Sequence, residues 1–146
     1  MAAGLPGRLA SIAVVAVLVL ARPAVGQDDV AAFDRMFCFE VTQHTNWINA
    51  QIDVAMGNGA QLMFDDEAYY QDARADCEAR SVAFRHFLDD TAANYGPDRR
   101  AEREREWTRF YCRQSVWAEA VAFGWHVQVT LTLADNTQYV ITAACG

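Results

Sequence analysis

Signatures of catalysis and metal binding are what this sequence most lacks. It holds no GxSxG nucleophile elbow, no HExxH pair, no glycine-rich phosphate loop and no closely spaced carboxylate pair on an apolar background. No CxxC or CxxH pair is present to nucleate a zinc site. These absences point away from an enzyme, and no metal and no cofactor is expected. Internal repeats, low-complexity tracts and Pro/Gly/Ser linkers are also missing, so residues 27–146 are expected to form a single small globular domain. Lysine is absent altogether: all twelve basic residues are arginine. That matches the codon bias of a GC-rich bacterium and carries no mechanistic meaning.

Long apolar runs are limited to one. Arg8 precedes an apolar stretch from Leu9 to Ala21, too short to span a bilayer comfortably, and Ala24-Val25-Gly26 places small residues before Gln27. Residues 1–26 are therefore expected to be a cleaved signal peptide, with an uncleaved anchor as the alternative. No cysteine stands near the cleavage point, the first being Cys38, which argues against a bacterial lipoprotein anchor. Cleavage removes two arginines and no acid, taking the net charge from −7 to −9. An acidic balance of this size opposes binding to nucleic acid and to anionic membrane, both of which need cationic residues. The expected location is periplasmic or secreted, with no stable membrane insertion after cleavage.

Four cysteines are present: Cys38, Cys77, Cys112 and Cys145. In an oxidising compartment an even count at wide spacing reads as two disulfides with three possible connectivities. Helix heights slightly favour Cys77–Cys112, leaving Cys38–Cys145.

The fold class expected is α+β: about three helices followed by a C-terminal antiparallel β-hairpin, stabilised by disulfides. The first helix spans about 28–56, with Phe33, Phe37, Val41, Ile48, Ile52 and Ala55 on one face and Gly57-Asn58-Gly59 as its stop. A second helix is expected from Asp65-Asp66-Glu67, whose acids suit a helix N-terminus, with Tyr70, Ala73, Cys77, Ser81, Phe84 and Leu88 as its inner stripe. The third starts after Gly96-Pro97, buries Trp107, Phe110, Tyr111, Trp117 and Val121, and ends at Gly124. Strict alternation then marks a strand through Trp125, Val127, Val129, Leu131 and Leu133, returning through Tyr139, Ile141, Ala143 and Cys145. Facing of the apolar sets favours Leu133 opposite Tyr139 and Leu131 opposite Ile141 over a register one residue shorter.

Candidate binding residues fall in two places. An amide-rich patch on the first helix puts His44, Asn46 and Trp47 together as a possible ligand pocket, against the plainer reading of a partly buried, hydrogen-bonded histidine. Arg105, Arg109 and Arg113, at i, i+4 and i+8, form a cationic ridge that would suit an anion, or else pairs with acids of the second helix or is solvated. The expected role is an exported, disulfide-stabilised binding or interaction protein whose partner is another envelope or extracellular protein, or a small ligand. The alternative is a small hydrolase or metal-binding protein using His44, His86 or His126 with an acid such as Glu40 or Asp90. It requires two of these side chains to meet in one cleft.

Overall fold

A computed structural model describes residues 26–146; the signal-peptide segment expected over residues 1–26 lies almost wholly outside them. The elements run α1 (Gln27–Gly57), β1 (Ala68–Asp76), β2 (Ser81–Leu88), α2 (Pro97–Cys112), α3 (Ser115–Ala122), β3 (His126–Leu133) and β4 (Gln138–Thr142). One mixed sheet in the order β1-β2-β3-β4 takes all four strands, antiparallel at β1–β2 and β3–β4 and parallel at β2–β3. The expectation of three helices followed by a lone C-terminal hairpin is thus corrected. A helix comes first, and the hairpin is half of a sheet whose other half precedes α2.

The segment expected to be the second helix is the β1–β2 hairpin. Its i/i+3/i+4 apolar spacing is real, but Val82, Phe84, His86 and Leu88 also alternate with Ala83, Arg85 and Phe87. Burial follows the alternation. A helix here would have left half of that set facing water, whereas pairing with β3 buries it on one sheet face. The turn Cys77–Arg80 contains no glycine, proline or asparagine, and Arg80 takes the left-handed conformation that such residues usually supply (φ 48°). Asp65 does not start a helix. Its Oδ1 accepts the backbone N–H groups of Glu67 and Ala68, shaping the entry into β1.

The expected third helix is two. Gln114 adopts an extended conformation (φ −91°, ψ 116°) and breaks the run between α2 and α3. Together these two helices form the crossover that the parallel β2–β3 pair requires. Phe110, expected inside, is 51% exposed.

In the β3–β4 hairpin the observed register puts Leu131 opposite Tyr139 and Val129 opposite Ile141. This is two residues away from the expected pairing, so both apolar sets keep their faces. A three-residue loop Ala134–Asn136 accounts for the shift: Leu133 N–H bonds Thr137 O, and Asn136 supplies the left-handed residue (φ 64°).

The helices lie on one sheet face. Phe37 meets Trp125 and Trp117 edge-on at 4.7 and 5.3 Å, and Phe84 of β2 lies against Tyr111, Trp107 and Trp117. The other face pairs polar groups across strands, Arg85 with Asp72, Gln128 with Thr142 and Gln138 with Thr132, and also carries the Tyr69–Phe87 ring pair at 5.1 Å and the exposed Val140. Three ties hold α1. The Asn49 side chain donates to Ala73 O (2.8 Å) and accepts from Ala73 N–H (2.9 Å), replacing the neighbour that edge strand β1 lacks beside its bulge at Gln71. Asp34 accepts the Trp125 indole N–H at 2.9 Å and pairs with Arg80. Cys38 is bonded to Cys77 at the end of β1.

The second disulfide joins Cys112 to Cys145, so the favoured Cys77–Cys112 and Cys38–Cys145 connectivity is overturned. That preference presupposed two antiparallel helices. With a hairpin in place of one of them, Cys77 comes beside α1 and the chain end comes beside the close of α2.

Cleavage after arginine isolates each cysteine. Non-reducing mass spectrometry should therefore find peptide 36–74 linked to 75–80, and 110–113 linked to 114–146; any other pairing contradicts this fold. Each bridge closes a loop long enough for a contribution of about 3 to 4 kcal/mol in the chain-entropy limit. Asn49→Leu strands a donor and an acceptor of Ala73, and should lower stability by about 2 kcal/mol in denaturant unfolding.

Candidate functional site

Helix α1 carries two faces. The inner one, Phe33, Phe37, Val41, Thr45, Ile48 and Ile52, is buried. On the outer one, Met36, Phe39, Gln43, Trp47, Ala50 and Val54 recur three or four residues apart, which on a 3.6-residue period forms a single stripe. The large members of this stripe are open to solvent: Phe39 is 65% exposed, Trp47 and Val54 58%, and Met36 46%. Beside the stripe lies an open groove of about 710 Å3 bordered by Arg35, Cys38, Phe39, Thr42, Gln43, Asn46 and Trp47.

Two of the candidates from the amide-rich patch, Asn46 and Trp47, border this groove. His44 stands to one side, stacked on Trp47 at 6.4 Å and edge-on to Trp117 at 6.1 Å. Desolvation by these neighbours lowers its imidazole pKa below the ordinary value. Of the four tryptophans, Trp107, Trp117 and Trp125 are buried and Trp47 is not. Met36, Phe39 and Val54 were missed in the sequence, although their spacing was visible there, because the inner stripe alone satisfied the expectation of an amphipathic helix.

Arg105, Arg109 and Arg113 are all exposed, and among the described residues none makes an ion pair. The helix whose acids were to pair with them does not exist. Arg105 and Arg109 border a recess of about 510 Å3 with Thr142 and Ala144, and Arg113 follows the end of α2.

The α2 arginines that do pair, Arg99 and Arg103, belong to a different cluster. Arg103 is buried and reaches Asp65 and Glu67, while Arg99 reaches Glu67 at 2.5 Å and Asp90 at 3.8 Å. Asp65 loses solvation there, which alone would raise its pKa. The N–H groups of Glu67 and Ala68 and the Arg103 guanidinium outweigh that cost and hold it below the usual carboxylate range. Arg103 and Asp65 also act on His86, which is 2% exposed on the inner face of β2. Burial first, then the charge of Arg103, pushes this imidazole down to about 4, and its Nε2 has no hydrogen-bond partner among the described residues.

The three histidines do not converge. His86 points into the core from β2, whereas His126 is exposed at the start of β3. His86 pairs with Leu131, five residues along β3 from His126, a separation of about 17 Å. His44 is on α1. None of the three hydrogen-bonds a carboxylate among the described residues, and those residues contain no group of three or more His, Cys, Asp or Glu placed to hold a metal ion.

No family model and no curated protein matches the sequence. Three solved structures overlap it at low identity. The type 2 secretion system pilotin of Vibrio vulnificus is 9% identical, with a TM-score of 0.49 over 77% of this chain and 94% of its own. The type II secretion system pilotin of Vibrio cholerae is 11% identical, with a TM-score of 0.47 over the same shares. A protein of Pseudomonas aeruginosa described as secreted is 9% identical, with a TM-score of 0.46 over 71% of this chain and 88% of its own. At these values neither fold nor function passes from them to this chain.

The His86 environment yields a pH dependence of defined sign. The unfolded imidazole takes up a proton near its ordinary value of 6.5 and the folded one only near 4, so in that window the unfolded chain binds more protons. Stability should be complete above pH 6.5 and fall by about 3 kcal/mol as the pH drops to 4. Urea unfolding midpoints of the wild type should show this slope, and His86→Gln should flatten it; an equal slope in both would reject the assignment.

Proposed function

We propose that this chain is an exported, disulfide-locked binding protein that offers the outer face of α1 to another envelope or extracellular protein. The observation that carries the reading is the row of large exposed side chains Met36, Phe39, Trp47 and Val54 on a helix whose opposite face already fills the core. Aromatic residues each hold well over 100 Å2 of surface, and four large apolar side chains gathered on one exposed helix face, interrupted by Gln43, favour an interaction surface.

The support beneath the row strengthens the proposal. A helix held by Cys38–Cys77, by the Asn49–Ala73 pair and by Asp34 presents its outer residues without further ordering, so the entropic cost of association is low. The groove is open rather than enclosing, which suits side chains of a protein partner better than a small molecule. Two cross-links among four cysteines, with no free thiol, fit an oxidising compartment. Among the described residues no helix is long and apolar enough to cross a membrane. Nothing favours the hydrolase or metal-protein alternative, since His44, His86 and His126 occupy separate elements and do not share a cleft.

Photo-cross-linking in cells tests the reading. A benzophenone side chain at Gln43, between Phe39 and Trp47, should give an adduct with a discrete partner, whereas the same group at Ala83 on the sheet's open face should not. Trp47→Glu should reduce the Gln43 adduct about tenfold while leaving the thermal midpoint unchanged. Absence of any adduct from Gln43, or an adduct indifferent to Trp47→Glu, would reject the assignment.

A further inference from the structure

The two edges of the sheet are finished differently. On the β1 side the Tyr70 N–H bonds Leu62 O, Met63 bridges Tyr69, and Asn49 takes both polar groups of Ala73. That edge is covered from Ala68 to Ala73. Strand β4 has a neighbour on one side only. The Ala143 N–H bonds Val127 O, so by the two-residue alternation of an antiparallel ladder Ile141 and Tyr139 also face β3, while Gln138, Val140 and Thr142 turn N–H and C=O outward. Among the described residues those outward backbone groups have no partner. The usual defences of an exposed edge are proline, a bulge, a covering loop or charge on the strand itself. Gln138-Tyr139-Val140-Ile141-Thr142 has none of them, and Val140 is 63% exposed.

The charge sits on the neighbouring helix. Arg100 stacks over the Tyr139 ring at 4.4 Å, and Arg105 and Arg109 border the recess that includes Thr142 and Ala144. None of the three makes an ion pair among the described residues; Glu104 borders both recesses, and Glu102 and Glu106 stand three residues before Arg105 and Arg109 on the same helix. On a chain of net charge −7, Arg105 and Arg109, one turn apart on α2, form a short cationic row beside the open strand edge and make no ion pair among the described residues.

We infer that the β4 edge and the α2 arginine row form a second binding site, one that takes an acidic polypeptide segment in extended conformation as a fifth strand. Backbone bonds to Val140 and Thr142 would supply affinity and register. Arg105 and Arg109 would select carboxylates on the incoming chain, because guanidinium matches that group bidentately. A nucleic acid meets the cationic row but has no amide ladder to offer the strand. The site is independent of the α1 face, and its failure would leave that proposal standing.

The test uses the exported, oxidised protein and three probes: the peptide acetyl-Ser-Glu-Val-Asp-Val-Glu-Ser-amide, the same peptide with lysine in place of each acid, and an oligothymidylate. In amide NMR titrations the acidic peptide should shift Val140 and Thr142 and slow their hydrogen exchange, and added salt should weaken its binding. The double variant Arg105→Glu/Arg109→Glu, altered only at exposed side chains, should lose about tenfold in affinity. Val140→Pro, which deletes an outward donor while sparing the bonds to β3, should abolish binding with the thermal midpoint retained. Equal binding of the lysine peptide or the oligothymidylate, shifts confined to other elements, or no binding at about 1 mM peptide would each overturn the proposal.

Discussion

The seat of α1 on strand β1 is the constraint from which the remaining architecture follows. An edge strand with a bulge leaves backbone groups unpaired where a helix covers them, and a buried unpaired N–H or C=O costs about as much as a substantial fraction of a small domain's stability. The Asn49 amide resolves this by presenting one donor and one acceptor to Ala73, so the helix substitutes for a missing strand. Asp34 and the Cys38–Cys77 bond fix the same helix nearer its start, against the β1–β2 turn and Trp125. With α1 immobilised, Phe37 enters the cluster of Trp117 and Trp125, and the opposite face has nowhere to turn except to solvent.

A division of labour among charges follows from burial. Arg103 is enclosed and needs two carboxylates, which it finds in Asp65 and Glu67 as the chain enters β1. The same enclosure keeps His86 neutral, because a second cation beside Arg103 in a poorly hydrated site is unfavourable. Arg105 and Arg109, exposed on α2, face no such demand and make no ion pair with the acids of that cluster. Paired arginines, Arg99 and Arg103, therefore lie in the first half of α2, and the exposed, unpaired Arg105 and Arg109 in the second.

Legibility in the sequence varied by element for identifiable reasons. Helix α1 was readable because its inner face repeats over many turns and ends at paired glycines, and β3 because its alternation admits no helical reading. The β1–β2 hairpin was not, since Ala73, Cys77, Ser81, Phe84 and Leu88 satisfy a helical period as well as Val82, Phe84, His86 and Leu88 satisfy a strand, and the turn between them lacks the usual residues. That one substitution of hairpin for helix propagated. It misdirected the disulfide pairing, supplied an imaginary partner for the arginine ridge, and hid the parallel pair at the centre of the sheet. The outer row on α1 was present in the sequence at readable spacing, but spacing does not report which of two apolar faces a helix buries.

Local chemistry alone determined where the chain bends and alternates: the stop at Gly57-Asn58-Gly59, the proline that opens α2, the two-residue rhythm of β3, and a count of four cysteines that suffices for two bridges. Tertiary structure decided which cysteines meet, which face of α1 stays wet, and whether residues 68–88 coil or extend. Those outcomes rest on contacts between segments tens of residues apart. A strand becomes favourable only when another strand completes its hydrogen bonds, and no local property of the β1–β2 segment announces that β3 arrives to do so.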